Sequence, residues 1–128
     1  MMSKGKILIV EDEPNIAEAM QVNLEGAGYE VLTAADGMEA LRLFDEFHPD
    51  LTTVDLMLPS ISGFRLIKLL KRAGPPGQVL VIVISALSFE EGEDAVRSGA
   101  DAYITKPLDP AQLVHEVDYL LGRHVASV

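Results

Sequence analysis

What most constrains this chain is an end-to-end alternation between two kinds of apolar segment. Lys6–Val10, Glu30–Ala34, Leu51–Asp55 and Val79–Ile84, with Ala102–Ile104 as a weaker fifth, are short, β-branched or otherwise apolar, and lack clean in-and-out alternation. Strands covered on both faces have this pattern. Between them, apolar residues recur at helical spacing: Ile16, Ala19, Met20 and Leu24; Ala40, Leu43, Phe44 and Phe47; Leu66, Leu69, Leu70 and Ala73; Leu113, Val117, Leu120 and Leu121. Each set forms one core-facing stripe. Pro14 and Pro110 stand where a first helical residue belongs, and Gly28 stands just past a helix end. Asp109 with Gln112, and Ser88 with Glu91, have the offset of capping boxes. The segment after Ser88 is the weakest predicted helix, since it contains Gly92 and the acids Glu90, Glu91, Glu93 and Asp94. Strict alternation with short connections predicts an α/β fold, a parallel sheet between helix layers joined by right-handed crossovers. No repeat, linker or low-complexity tract divides the chain, so residues 1–128 are expected to form one domain.

Composition removes several classes of function. The hydrophobic fraction is 48% and the mean hydropathy +0.22, too apolar for a disordered chain. The longest apolar run, Val79 to Ile84, is far short of the roughly 20 residues a membrane-spanning helix needs. The first residues lack a secretory cleavage site and run straight into acids. With no cysteine, disulfides, thiolate zinc sites and thiol nucleophiles are excluded, and a cytoplasmic setting is expected. A net charge of −10 repels nucleic-acid backbones, so direct nucleic-acid binding is not expected.

In parallel α/β sheets chemistry collects beyond the carboxyl ends of the strands. The first strand runs into Glu11, Asp12 and Glu13, the third ends at Asp55, the fourth runs into Ser85 and the fifth into Thr105 and Lys106. Carboxylates, a hydroxyl and an ammonium are thus predicted at one edge. Crowded carboxylates repel one another and invite a hard divalent cation, and Mg²⁺ suits a partly hydrated oxygen site that also takes a phosphoryl oxygen. Asp55 can then act as a nucleophile towards phosphorus, with Lys106 and the Ser85 hydroxyl stabilising the transferring oxygens.

The segments ILIVEDEP, PDLTTVDLMLPSISG, VIVISA and SGADAYITKP, in this order, resemble the receiver domain of a two-component response regulator over essentially the full chain. The resemblance implies a doubly wound, flavodoxin-like five-stranded sheet of order 2-1-3-4-5 with five helices on two faces, and a cis peptide at Lys106–Pro107. It implies Asp55 as phosphoacceptor, Glu11, Asp12, Asp55 and the Met57 carbonyl as ligands of Mg²⁺, and Lys106 as the phosphoryl-binding lysine. Ser85 and Tyr103 would be the switch hydroxyl and aromatic. The donor would be a histidine kinase or histidine phosphotransfer protein. Output would pass to a downstream protein target, or to an output domain missing from these residues, through a changed surface of the fourth helix, fifth strand and fifth helix. Such a chain is a signalling switch that catalyses only its own phosphorylation and dephosphorylation. Met57 and Leu87, apolar and two residues beyond Asp55 and Ser85, are expected to shield the phosphorus from water and slow phosphoryl loss.

Two other classes compete. A Mg²⁺-dependent phosphohydrolase with an aspartyl nucleophile needs a second acid two residues on, where this chain has Met57. A flavodoxin-type cofactor binder needs a phosphate loop after the first strand, where this chain has Glu11-Asp12-Glu13-Pro14. Thr52 and Thr53, within a strand, are expected to bond locally to backbone. His48, His115 and His124 share no spacing and point to surface or packing roles, and Arg65, Lys68, Lys71 and Arg72 to a solvated helix face.

Overall fold

The structure is a computed structural model that describes residues 3–59, 61–86 and 89–126, and of residues 89–91 and 123–126 only the backbone. The elements alternate as expected: β1 (Lys6–Val10), α1 (Pro14–Gly26), β2 (Glu30–Ala34), α2 (Gly37–Phe47), β3 (Leu51–Val54), α3 (Gly63–Ala73), β4 (Leu80–Ser85), α4 (Phe89–Arg97), β5 (Ala102–Thr105) and α5 (Pro110–Ala126). All strand pairs are parallel, in the order β2-β1-β3-β4-β5.

Burial explains why the strands lack alternation. Ile7 and Ile9 of β1 face one apolar cluster with Met20 and Leu24 of α1 and Leu113 and Val117 of α5. Leu8 and Val10 face the other, with Ala40 and Phe44 of α2, Leu66, Ile67 and Leu70 of α3, and Ala95 of α4. The sheet is therefore sandwiched, and its central strands are apolar on both sides. The edges differ: Glu30 and Leu32 of β2 are exposed.

Local signals set the helix ends. Pro14 opens α1, and Gly28, at φ 106°, carries the left-handed turn after it, with the Tyr29 N–H donating to Leu24 O at 3.1 Å. Asp36 accepts from the Glu39 N–H at 2.9 Å and Ser62 from the Arg65 N–H at 3.2 Å, capping α2 and α3. Asp109 caps α5, but through the Ala111 N–H at 3.0 Å, with no return bond from Gln112 among those described. The Ser88–Glu91 pairing lies outside the described side chains. His48 takes a structural role, ending α2 in the left-handed conformation at φ 51°.

Three expectations are corrected. The core stripe of α1 turns by a residue, so that Ala17 is buried and Ala19 exposed; on α3, Ile67 replaces Ala73. Thr52 and Thr53 do not bond to backbone: both hydroxyls are buried without a partner among the described residues. In a central strand both ladders consume the nearby N–H and C=O groups, and the cross-strand neighbours are apolar: Leu8 and Val81 beside Thr52, Ile9 and Ile82 beside Thr53. Lys71 is not merely solvated. Its ammonium donates to Val79 O and to Asp101 Oδ2, the latter at 2.7 Å, tying α3 to the starts of β4 and β5.

Candidate functional site

The register sets the strand ends level. Val10 pairs with Val54 and Val54 with Val83, so Glu11 and Asp55 emerge side by side, and Ser85 pairs with Thr105 one step before Lys106. The Asp55 N–H donates to Val10 O at 3.1 Å and the Lys106 N–H to Ser85 O at 3.1 Å, carrying the ladders into the site.

Asp55 is buried, and each of its oxygens has a donor: the Met57 N–H at 2.9 Å on Oδ1 and Lys106 Nζ at 2.8 Å on Oδ2. Glu11, also buried, accepts from the Glu13 N–H at 3.1 Å on Oε2 and pairs with Lys106 Nζ at 3.0 Å through Oε1. Asp12 is exposed at the mouth. One carboxylate oxygen from each of Glu11, Asp12 and Asp55 lies within 4.8 Å of the others. Burial raises the Glu11 pKa above its usual value; the Glu13 N–H and Lys106 oppose this, and the neighbouring Asp55 charge adds to it. Burial presses the Lys106 pKa down, but hydrogen bonds to Asp55 and Glu11 and their charges outweigh it, so the net shift is upward and Lys106 is charged at neutral pH.

The hard oxygen donors and their mutual repulsion fit Mg²⁺. Ser85 adds a second indication: its hydroxyl is buried, with the residue 1% exposed, and has no partner among the described residues. A buried orphan hydroxyl at an otherwise bonded site has a vacant place for an incoming acceptor.

Every expected site residue that is described lies at this edge except Tyr103, which sits on β5 against α4. Leu87 lies outside the described residues. The Met57 side chain is 72% exposed at the rim, and its backbone rather than its side chain engages Asp55. Gly63 was not expected to matter here. A Cβ on it would lie 2.4 Å from Leu56 Cα, so only glycine lets α3 start against the turn that follows Asp55, with the Gly63 N–H donating to Leu56 O at 3.3 Å. A glycine opening an apolar-periodic segment was its one signal in the sequence.

The family model described as the response regulator receiver domain matches residues 7–118. The chain belongs to that family. This receiver domain is 38% identical over 119 residues to the DNA-binding dual master transcriptional regulator RpaA of Synechocystis, covering 92% of this chain and 49% of that protein. It is 40% identical over 121 residues to the phosphate regulon transcriptional regulatory protein PhoB of Klebsiella pneumoniae, covering 92% and 52%. The receiver domain thus spans about half the length of the curated relatives it matches. Among solved structures it superposes on a CheY-like receiver domain protein of Methanospirillum hungatei with a TM-score of 0.90 at 29% identity, covering 100% of both chains. The receiver domain of Francisella response regulator 1452 gives 0.87 at 33%, covering 94% and 99%. Receiver domains are phosphorylation-controlled signalling switches, and no helix among the described residues is long and apolar enough to cross a membrane.

Proposed function

We propose that Asp55 accepts a phosphoryl group from the phosphohistidine of a histidine kinase or phosphotransfer protein. An Asp55 carboxylate oxygen forms the new bond to phosphorus, the phosphorus–nitrogen bond to the donor imidazole breaks, and the imidazole nitrogen keeps the electron pair and takes a proton. Mg²⁺ held by Glu11, Asp12, Asp55 and the Met57 carbonyl would supply positive charge to the phosphoryl oxygens. Lys106, already at Asp55, neutralises charge on the transferring group, and the Ser85 hydroxyl, unpaired among the described residues, donates to one of its oxygens. Drawing Ser85 inward vacates space for Tyr103 and changes the surface of α4, β5 and α5.

The observation that supports this reading most is the buried Asp55 carboxylate, held by Lys106 beside two further acids. Met57 offers no acid to protonate a leaving group, which disfavours the phosphohydrolase, and its exposed thioether offers nothing to orient an attacking water. With a net charge of −10, output passes through protein contacts, to a separate target or to an output domain such as the DNA-binding relatives' names imply for those proteins.

Incubation with Mg²⁺ and acetyl phosphate, read by intact mass, tests it. The wild type gains one phosphoryl group and Asp55→Asn gains none, while Met57→Asn is labelled but loses the group faster. A full-yield adduct in Asp55→Asn overturns the assignment.

A further inference from the structure

Gly92 stands inside α4, where glycine weakens a helix that its acids already make marginal. It is buried, and the described side chain nearest to it is Tyr103. A Cβ built on Gly92 would lie 2.7 Å from both Cε2 and Cζ of the Tyr103 ring and 3.0 Å from Cδ2. The ring therefore lies on bare helix backbone, closer than any other residue at position 92 would allow. The obstructing atoms are the far end of a side chain, so a methyl group placed there would move the ring before it moved helix or strand.

The sheet sets where the ring can go. Tyr103 pairs with Val83, and Thr105 with Ser85, in parallel register. Side chains alternate along strands, so Val83, Ser85 and Tyr103 share one face, with Ser85 about 6.6 Å further towards the acid cluster. Tyr103 packs with Val83 in the same apolar cluster. On its outer side it borders a cavity of about 320 Å³ lined by Glu93, Val96 and Arg97. Outward movement would exchange the packed apolar cluster for this open, solvent-facing hollow. Inward movement keeps apolar contact, and the Ser85 hydroxyl on that face has no hydrogen-bond partner among the described residues.

We propose that Gly92 is the seat that holds the Tyr103 ring against α4 in the unphosphorylated domain and so sets the resting side of the switch. This deepens the reading above and rests on Ser85 and Tyr103 being the switch pair. A phosphoryl group on Asp55 empties the seat by drawing Ser85 away and opening the inward place. Gly92→Ala empties it from the other side, by removing the room on the helix.

Ring-labelled tyrosine NMR, with Tyr103 assigned through Tyr103→Phe, tests both steps on three samples: wild type, wild type with Mg²⁺ and beryllofluoride, and Gly92→Ala alone. The expected result is that Gly92→Ala, without any phosphoryl mimic, shifts the Tyr103 signal in the direction beryllofluoride shifts it in the wild type, leaving Tyr29 in place. A stability cycle adds a readout that helix propensity alone does not move. Alanine at 92 stabilises a Tyr103→Leu background and gains less, or loses, when the ring is present. A Tyr103 signal unmoved or moved oppositely in Gly92→Ala, or an additive cycle, overturns the seat. A wild-type Tyr103 signal that ignores beryllofluoride, while Gly92→Ala moves it, instead overturns the switch-pair reading, and the seat's control of the resting state with it.

Discussion

The two edges of the sheet are built from the same residue types and treat them oppositely. At the edge where strands begin, carboxylates have matched partners. Asp101 pairs with Lys71 and also accepts the Val81 N–H at 2.8 Å; Asp50 accepts the Lys6 N–H at 2.8 Å; Asp118 accepts from Lys4 at 3.1 Å and from the Tyr29 hydroxyl. At the edge where strands end, Glu11, Asp12 and Asp55 gather, Lys106 is the one ammonium paired with them among the described residues, through Glu11 and Asp55, and the Ser85 hydroxyl bonds to nothing described. Matched charges with closed hydrogen bonds hold elements in place, whereas surplus negative charge with a spare donor is stable only until a cation and an oxyanion arrive. One edge is a set of fasteners and the other a receptor.

The largest test of that contrast is metal linkage. Mg²⁺ at a hundred times its Kd should stabilise the domain by about 2.7 kcal/mol, seen as a rise in Tm. Asp12→Asn, which removes one ligand charge at the mouth, should forfeit most of this rise, while Asp101→Asn at the other edge should keep it. An equal rise in both variants would break the comparison.

Next comes the fastener itself. Lys71→Ala removes the donor to Val79 O and Asp101 and should cost about 1–2 kcal/mol in urea unfolding. Its acetyl phosphate labelling should match the wild type, because nothing in the site touches it.

Between the two edges lie the orphan hydroxyls of β3. Thr52→Val keeps the β-branched shape and removes an unpaired buried donor, so it should stabilise by about 1 kcal/mol. A loss of stability would show that a bound water satisfies the hydroxyl.

The smallest effect is on pH dependence, where the edges should have opposite slopes. Burial raises the Glu11 pKa, so the folded chain holds that proton to higher pH than the unfolded chain, and stability falls as pH rises from about 4.5 through the raised value. The Tyr29 hydrogen bond, aided by Lys4, lowers the Asp118 pKa, so its stabilisation is present above about 3.8 and is lost as pH falls through the lowered value. Asp118 is well exposed, which keeps its contribution small. Relative to Glu11→Gln, the wild type should lose stability from pH 4 to neutrality; relative to Tyr29→Phe, it should lose stability only at more acid pH.

The sequence was legible where the signal is local. Lys6–Val10 and Glu30–Ala34 form strands with the expected bounds, and β4 shifts by one residue to Leu80–Ser85, taking in a serine that propensity had placed just outside. Glu11, Asp12, Asp55, Ser85 and Lys106 could be placed at one edge from strand ends alone, because a parallel sheet carries every strand's carboxyl end to the same side. Lys71 looked like one more solvated cation because its partner Asp101 stands 30 residues away. Gly92 looked like a weak helix position and Gly63 drew no reading at all, because a glycine's purpose is the atom that approaches it, here the Tyr103 ring and Leu56 Cα.

Period, turn residues and strand ends thus determined the fold class, the strand count and the set of residues offered to the site, since all of these arise from interactions within a few residues along the chain. Only the tertiary structure decided which polar groups are satisfied. Thr52 and Ser85 are both buried hydroxyls without a partner among the described residues, yet Thr52 lies between the apolar Leu8 and Val81 while Ser85 ends β4 at the receptor edge. Whether a buried donor is a cost or a waiting contact depends on what faces it from other strands and helices, and sequence neighbours do not supply that.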